Sequence, residues 1–525
     1  MNEEEQRLIL EKNSSLEEEI KELRNAVSTL TQQLDYLKRQ LFGQKSEKLD
    51  SDQPSLFDVP GKPEDAPEED PGADSAKGAA EKTKKKRKIR SNRLPDHLPI
   101  NRVELTPQEV LDAPQDWRRI GEDITTHLEK DPGYFYKVET VRGKYVPLNN
   151  PHQAPVSAPA KPTIIPNGYW GAGLLSEMLC NRYLYALPYF RQSTLYSQRF
   201  GVELPRQSMA DMAESVATGL EPIYKRMKAQ MLSSGYIQSD ETPIRYLDTN
   251  HPNGSAQGYY WVYRGANSEV IFDWRTNRNH ENLGKFLGTS FIGVIQSDGY
   301  QAYGNYCIAQ RLLGKEVKRA ACLAHIRRYF EKSLKGSHGH IARWFMKIIG
   351  ELYQIEARLR EYSCDSETRA RIRKIQSKPR VVLLEKAVLH LSGKMHILPQ
   401  SYLGKALTYA RNQLPDMHTY LEHGQVEIDN NLTENALRPT VVGKKNHLFI
   451  GSPEAGQYSA VLNSLLLSAK GCGVPPEQYL RDIIERVPTA TNNDLDALTP
   501  AAWAKAYHAA EAIKVAKAAS TSLAA

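Results

Sequence analysis

The sequence predicts a multidomain protein of the α+β class, and three observations support this prediction. The chain has 525 residues, several times the roughly 100–200 residues of one domain. Residues 8–41 repeat apolar positions every seven residues, which is typical of a coiled coil. Further along, stretches rich in β-branched and aromatic residues alternate with stretches of helical spacing. This mixture predicts a sheet-containing core joined to helical regions.

Composition narrows the class of protein. The formal charge is +7, and hydrophobic residues make up 40% of the chain, which is enough for buried cores. The five cysteines include no Cys-x-x-Cys pair, which argues against a disulfide framework and against a cysteine zinc site. No run approaches the roughly 18 apolar residues of a membrane span, and the N-terminus opens with charged residues. We therefore predict a soluble, cytoplasmic protein without a membrane partner.

The heptad repeat defines the first predicted segment, 1–48. Leu16, Leu23, Leu30 and Leu37 share one core position, and Asn13 occupies the other. A single Asn in an aliphatic core favours two parallel strands, because a buried Asn is best satisfied by its mate. A lone helix packed on its own domain is the alternative. We predict a homodimer formed through this leucine-zipper coiled coil.

Residues 49–92 are predicted to form a disordered linker, acidic at first and then basic. The acidic part is rich in Pro, Asp, Glu and Gly, and it has too few apolar residues to order itself. The basic block includes Lys84, Lys85, Lys86 and Arg87. These side chains would lie along DNA phosphates or belong to a flexible charged tether, and both interpretations keep them exposed.

Two small regions follow. Residues 93–151 are predicted to form a small domain with short strands at 134–138 and 144–146. Residues 152–230 have helical spacing with a break at 200–205, which fits a helix-turn-helix whose second helix begins at Arg206. Because many helix pairs simply pack as core, DNA contact by Arg206 is only one of two open interpretations.

Residues 231–316 are predicted to hold the first part of a mixed sheet, in which three antiparallel strands precede a short helix and a buried central strand. The predicted strands cover residues 236–238, 258–264, 269–274 and 291–298, and the helix covers 281–287. Gln-Ser-Asp occurs at the end of both the first and the last strand, so Asp240 and Asp298 would meet where adjacent strands end. Asp at a strand end is often only a turn former. The rival acids are Glu241, Asp248, Asp273 and Asp429.

The remaining chain is predicted to be mostly helical. Residues 317–423 have helical spacing throughout and are predicted to be an all-helical insertion before the second part of the core, 424–472. In that part, N-cap residue types at 429–431 predict a helix that carries Glu434 and ends before Pro439. A surface ion pair between Glu434 and Arg438 is the alternative role for this acid. Residues 473–525 are predicted to form a helical tail with a frayed end.

Asp240, Asp298 and Glu434 form an ordered set of three acids on a strand, a strand and a helix. Phosphoryl transfer on DNA develops charge on both the entering and the leaving oxygen. Two Mg²⁺ ions about 4 Å apart stabilise both oxygens, and carboxylates are the ligands that such hard cations prefer. The set therefore suits metal-dependent chemistry on a phosphodiester.

Seven stretches together resemble the DDE transposases of the IS66 family of bacterial insertion sequences. They are LFGQKSEK (41–48), GYIQSDETP (235–243), QSDGYQAY (296–303), CLAHIRRYF (322–330), DNNLTENALRP (429–439), GKKNHLFIGS (443–452) and PEQYLRDIIER (476–486). The resemblance implies a ribonuclease-H-like core interrupted by a helical insertion. It also implies that Asp240, Asp298 and Glu434 are catalytic and bind two Mg²⁺ or Mn²⁺ ions. The implied reaction is DNA cleavage at the ends of an insertion sequence, followed by strand transfer into target DNA.

One departure from the family concerns residues 93–151. Relatives usually carry a cysteine zinc-binding module at this place, whereas this segment has no cysteine. Only His97 and His127 are possible soft-metal ligands, and two histidines do not complete a four-ligand site. We predict a degenerate zinc-finger-like module that folds without structural zinc, and this leaves its role in DNA binding open.

The resemblance also implies DNA contacts near the acids. His325 and Arg328 would point at the scissile phosphate or the transposon end, with surface solvation as the alternative for the arginine. Arg438, Lys444 and Lys445 would lie on the DNA backbone, with an exposed turn as the alternative for the lysines. The implied partners are transposon-end and target DNA, further copies of the chain on DNA, and accessory proteins of the same element. A nuclease without strand transfer and a non-catalytic DNA-binding relative are the competing functions.

Overall fold

A computed structural model describes residues 26–27, 97–131, 133–149, 152–166, 168–288 and 291–523, with side chains up to residue 514. Of the predicted coiled coil, Ala26 and Val27 are described and are helical; the rest of it and the basic block 84–87 lie outside the described residues. The described part combines many helices with two sheets, which confirms the α+β class.

Three strands of the first sheet lie in the segment predicted to be a small domain, 93–151, and its fourth strand lies in the segment predicted to be helical, 152–230. The sheet contains β1 (Ile100–Leu105), β2 (Trp117–Asp131), β3 (Tyr134–Pro147) and β4 (Val156–Ser157), with α1 (Gln108–Asp112) between β1 and β2. The sheet order is β1-β3-β2, and β4 pairs with residues 144–145 of β3, beyond the stretch that pairs with β1. The prediction of two short strands at 134–138 and 144–146 is wrong, because Gly143 stays in the ladder opposite Glu122 and the strand is continuous.

The predicted helical region contains three helices, α2 (Ala172–Tyr183), α3 (Tyr189–Phe200) and α4 (Arg206–Ser233). The break between α3 and α4 begins at Gly201, whose φ of 63° suits a residue without a Cβ. The sequence predicts this helix over residues 206–220, but α4 continues to Ser233 and contains Pro222. Its apolar face continues through Ile223, Met227 and Met231, all buried, so packing offsets the backbone hydrogen bond that the proline removes.

The central sheet contains the strands that carry the candidate acids. Its elements are β5 (Tyr236–Leu247), β6 (Ser255–Arg264), β7 (Val270–Arg275), α5 (Glu281–Leu287), β8 (Gly293–Ser297), α6 (Gln301–Leu312) and β9 (Val317–Ala321). The strand order is β7-β6-β5-β8-β9. Strands β5, β6 and β7 form the predicted antiparallel meander, and β8 and β9 run parallel to β5. The prediction that residues 317–321 begin a helix is wrong, because pairing with β8 makes this short, ambiguous stretch a strand.

A helical segment separates β9 from the second part of the core, as predicted. Its helices are α7 (Leu323–Ser333), α8 (Gly339–Glu361), α9 (Ser366–Ile372), α10 (Lys378–Ser392), α11 (Tyr402–Gln413) and α12 (Met417–Glu422), with a π-helical turn (Arg373–Ser377) between α9 and α10. These helices share a core that includes Phe330, Phe345, Leu352, Leu407 and Met417. The same core includes Tyr236 of β5, Val294 of β8 and Ala320 of β9, so the helical segment packs directly against the sheet.

The chain then returns to the sheet through α13 (Asn431–His447), β10 (Phe449–Ile450) and α14 (Pro453–Gly471), and it finishes with α15 (Pro476–Arg486) and α16 (Pro500–Leu523). Strand β10 pairs with β5. The prediction that the Glu434 helix ends before Pro439 is wrong, since α13 continues for two more turns. Buried Leu437, Thr440 and Gly443 keep α13 packed on both sides of the proline. None of the helices in the described part of the chain combines the length and apolar character that crossing a membrane requires.

Candidate active site

The two aspartates are brought together by the pairing of β5 with β8. This pairing is parallel and places Gln238 opposite Gln296. Asp240 and Asp298 each lie two residues further along, and the charge of Asp298 raises the pKa of Asp240, so the two carboxyl groups are near each other. Asp298 directly follows β8 as predicted, but Asp240 lies inside β5 and not at its end, because β6 pairs with β5 as far as Leu247.

A buried network of amides ties the start of α13 to these two strands. The Gln238 side-chain nitrogen donates to the Gln296 side-chain oxygen at 3.0 Å and to the Asp429 carbonyl oxygen at 2.9 Å. The Gln296 side-chain nitrogen donates to the Glu427 carbonyl oxygen at 2.7 Å. The Thr433 hydroxyl donates to the Gln238 side-chain oxygen at 2.9 Å. The residue directly before Glu434 is therefore bonded to the strand that carries Asp240.

Glu434 lies in the first turn of α13, where it forms an ion pair with Arg328 of α7 and lies close to His325 of the same helix. One carboxylate oxygen is 3.3 Å from the Arg328 guanidinium, and the other is 3.6 Å from His325 Nε2. The second oxygen is buried and has no hydrogen-bond partner. Arg438, the partner in the alternative interpretation, is exposed. The ion pair between Glu434 and Arg328 takes the place of the alternative pair between Glu434 and Arg438.

Electrostatics link the three acids. Burial, together with the negative charges of Glu241, Asp298 and Glu434, raises the pKa of Asp240 to about 7. Burial lowers the pKa of His325, whereas the charges of Glu434 and Asp298 act in the opposite direction. His325 therefore lies close enough to Glu434 and Asp298 for their charges to act on its pKa. A cation held among these carboxylates would relieve the repulsion that Asp240 experiences.

The acids also suit a hard divalent cation by their chemistry, since Mg²⁺ prefers oxygen ligands. In this structure, however, Glu434 is engaged by Arg328. Among the residues that the structure describes, no group of three or more His, Cys, Asp or Glu side chains is arranged to hold a metal ion. The donor set fits Mg²⁺ or Mn²⁺, but the three carboxylates do not form a closed binding site as they stand.

The rival acids are committed to other roles. Glu241, next to Asp240, accepts hydrogen bonds from Arg278 on one oxygen and from the Tyr303 hydroxyl on the other. The Asp429 carboxylate accepts from the Tyr353 hydroxyl and from the backbone N–H of Asn431. The other two also have partners: the side chain of Asp273 is paired with Arg275, and that of Asp248 accepts from the Asn250 N–H. Arg278, which neutralises the charge nearest Asp240, carried no signal in the sequence.

The predicted DNA-binding residues lie at several places. Arg206 opens α4, and its side chain is exposed, as are those of Arg438 and Lys445 on α13. Lys444 is different, because its ammonium donates to the Thr242 hydroxyl at 2.6 Å and to the Pro243 carbonyl oxygen at 2.8 Å. Burial lowers its pKa. Lys444 thus anchors α13 to β5, and its contact with DNA stays a prediction.

Together these features define an α+β protein with an acidic site on two neighbouring parallel strands, within β5 and directly after β8, next to the start of a helix that follows the helical segment. The family model described as "Transposase IS66 family" matches residues 167–458, which include all three acids. The chain belongs to this family. Two further models match, "Transposase C of IS166 homeodomain" over residues 29–103 and "IS66 C-terminal element" over residues 464–501.

Relatives with similar sequences come from Sinorhizobium fredii (strain NBRC 101917 / NGR234). The uncharacterized protein y4jD is 28% identical over 515 residues, which cover 94% of this chain and 98% of the relative. The uncharacterized protein y4hP is 26% identical over 517 residues, which cover 91% and 89%. The uncharacterized protein y4qI is 28% identical over 396 residues, which cover 73% and 71%. The likeness to y4jD and y4hP thus extends over nearly the whole length of each chain.

Proposed function

We propose that this protein is a transposase that cleaves DNA at the ends of an insertion sequence and joins the freed 3′ ends to target DNA. Asp240, Asp298 and Glu434 are the catalytic acids, and two Mg²⁺ or Mn²⁺ ions are the cofactors. The observation that carries the proposal is the parallel register of Gln238 with Gln296, which aligns the two aspartates in a chain of a transposase family. The charge of Glu434, which raises the pKa of Asp240, supports the third assignment.

The order of the central sheet supports a ribonuclease-H-like core. Three antiparallel strands, β7-β6-β5, are continued by two parallel strands, β8 and β9, and the helical segment follows β9 before the chain reaches α13. This arrangement agrees with a core that is interrupted by a helical insertion. The catalytic acids then come from a central strand, its parallel neighbour and the helix after the insertion.

The chemistry follows from the residues around the acids. Divalent ions, when bound, supply positive charge to the attacking and leaving oxygens of a phosphodiester. Asp240 within β5 and Asp298 directly after β8 would provide oxygen ligands, and the pairing of these strands fixes the two backbones relative to each other. Arg328 and His325 lie against Glu434, so both are placed to meet the phosphate that approaches the acids. DNA would thereby compete with Glu434 for Arg328.

The proposed partners follow from the same assignment. DNA contacts the exposed cations Arg206, Arg438 and Lys445 and the basic block at residues 84–87, whose heavily basic sequence suits a polyanion. The heptad repeat supports a homodimer, and further copies assemble on DNA. Accessory proteins of the same element are proposed partners on the family resemblance alone.

The proposal is tested with labelled DNA that carries the ends of the element. The protein is incubated with Mg²⁺ and unlabelled target DNA, and cleaved and joined products are separated on a denaturing gel. We expect both products from the wild-type protein and neither from Asp240→Asn. Asp248→Asn is the matched control, because Asp248 follows the end of the same strand and only caps a turn.

Each alternative function gives a different result. Cleaved ends that are never joined indicate a nuclease without strand transfer. DNA binding without metal-dependent products, in the wild-type protein as in Asp240→Asn, indicates a non-catalytic DNA-binding relative. Equal activity of Asp240→Asn and Asp248→Asn contradicts the assignment of the acids.

A further inference from the structure

Near Glu434, a buried hydroxyl connects the start of α13 to β5, whereas Lys444 makes the contact near the end of the helix. Thr433 is fully buried, and its hydroxyl donates to the side-chain oxygen of Gln238 at 2.9 Å. Gln238 is also fully buried, and its nitrogen is bonded to Gln296 and to the Asp429 carbonyl oxygen. Gln238 thus has partners on β8, on the segment before α13 and on α13 itself.

Gln238, Gln296 and Thr433 each lie within two residues of one of the three acids in the sequence. Gln238 lies two residues before Asp240, Gln296 lies two residues before Asp298, and Thr433 lies directly before Glu434. One side-chain amide therefore connects the backbones that carry all three acids. A buried amide with several partners resists rotation, because any new rotamer leaves polar atoms without hydrogen bonds.

We propose that Gln238 and Thr433 are positioning residues that fix the distance of Glu434 from the two aspartates. The inference rests on the proposed function, because it assigns a task only if the three acids bind metal together. Neither residue needs to touch DNA or metal to perform this task. If Thr433 has this positioning role, we expect loss of its hydroxyl to move α13 relative to β5. The local structure around each acid should stay the same.

The chain offers a matched control on the same helix. Thr440 is also buried on α13, but its hydroxyl contacts the Asn463 side chain on α14, at 3.5 Å. Thr433→Val and Thr440→Val each remove one buried hydroxyl from α13 at nearly constant side-chain volume. Only the first substitution breaks a contact with the strands that carry the aspartates.

The first measurement is Mn²⁺ binding to the full-length protein, followed by the paramagnetic resonance signal of free Mn²⁺. We expect Thr433→Val to weaken binding about threefold to tenfold, the range that the loss of one hydrogen bond spans. Thr440→Val should bind like the wild-type protein, and Thr433→Ser, which keeps the hydroxyl, should recover wild-type affinity. Melting temperatures of all four proteins are recorded without metal.

The second measurement is cleavage of labelled element ends at saturating DNA. Thr433→Val should lower kcat about tenfold or more while KM for DNA stays constant, because a misplacement of about 1 Å in an active site costs about 100-fold in rate. Thr433→Ser should restore kcat. A hydroxyl with a structural role alone would change the melting temperature without this separation of kcat from KM.

The outcomes separate this inference from the proposed function. Equal Mn²⁺ affinity and equal kcat for Thr433→Val and Thr440→Val overturn the positioning role even when the wild-type protein is an active transposase. Failure of Thr433→Ser to recover affinity also overturns it. If the wild-type protein cleaves no DNA, the proposed function fails, and the Mn²⁺ comparison still decides whether Thr433 positions the acids.

Discussion

Arg373 and Glu356 form an ion pair inside the helical segment, and its loss should change the stability of the protein in a measurable way. Both side chains are fully buried, and the guanidinium donates two hydrogen bonds of 2.8 Å to the carboxylate. A third nitrogen of Arg373 carries two hydrogens and lies within hydrogen-bond distance of four carbonyl oxygens, those of Tyr420, His423, Gly424 and Val426. Arg373 therefore holds the segment through which the chain returns from the helical region to α13.

We expect Arg373→Met to lower the free energy of unfolding by about 3–5 kcal/mol at neutral pH, because it leaves a buried charge without its main partner. The remaining partners of Glu356 are Arg369 at 3.2 Å and the Tyr420 hydroxyl, which keep the loss within this range. The four carbonyl oxygens also lose their donor. Arg380→Met is the matched control, because Arg380 pairs with Glu351 on a partly exposed surface and such pairs contribute less than about 1 kcal/mol.

The loss should depend on pH in a defined direction. Burial favours the neutral form of Glu356, but the hydrogen bonds and charge of Arg373, together with Tyr420 and Arg369, lower its pKa below the ordinary 4.5. The wild-type protein therefore gains stability from this carboxylate above pH 4.5, and loses it as the pH falls through the lowered pKa. In Arg373→Met, burial prevails and the pKa rises. The deficit of the variant should consequently shrink as the solution is acidified.

The assay is urea denaturation followed by circular dichroism, together with native-state hydrogen exchange, which isolates the opening of residues 423–430 from that of other parts. Exchange in this segment should accelerate in Arg373→Met and stay unchanged in Arg380→Met. If the two variants lose the same free energy at neutral pH, or if acid enlarges the deficit of Arg373→Met, the reasoning about the buried pair is refuted.

Three further predictions can be checked by simpler measurements. Gly424→Ala should destabilise the protein by about 1–3 kcal/mol in urea denaturation, because a Cβ there would lie 1.7 Å from the Ser366 carbonyl oxygen; wild-type stability would contradict this. Gly350→Ala should stabilise the protein by about 0.5–1 kcal/mol, since a Cβ in the interior of α8 meets nothing within 4 Å. A loss of stability would mean that the added methyl group has no room there. His447, whose pKa is lowered to about 4 by burial and by the charge of Arg182, should stay neutral in NMR titrations between about pH 5.5 and 8. A midpoint near the ordinary 6.5 would mean that the imidazole is solvated.

The alignment of the two aspartates could be predicted from the sequence because its signal is local and repeated. Gln-Ser-Asp occurs after two apolar strands, and parallel strands end at the same edge of a sheet. The register of Gln238 with Gln296 is then the simplest pairing. The end of β5 could not be predicted in this way, because pairing with the antiparallel strand β6 extends β5 past Asp240. The local sequence around Asp240 does not indicate how long its partner strand is.

The helical environment of Glu434 could not be predicted for a related reason. Its partner Arg328 is 106 residues away in the sequence, and no pattern of spacing connects the two. The end of α13 was misplaced because Pro439 is a strong helix breaker in isolation, whereas packing of α13 on the sheet and on α14 decides the outcome in the folded protein. Residues 317–321 were misassigned because five residues are too few to distinguish a strand from a helix by periodicity.

The segment between the helical region and α13 explains how a distant part of the chain can complete a site that requires accurate placement. The chain leaves the sheet at Ala321 and returns about a hundred residues later, so local geometry alone cannot fix where Glu434 arrives. Contacts from two directions fix it instead. On one side, α8 and the π-helical turn hold the segment through Tyr353, Arg360 and Arg373. On the other, Tyr236, Gln238 and Gln296 bond to its backbone at residues 427 and 429. A substitution on either side should therefore change the placement of Glu434, even though none of these residues is one of the three acids.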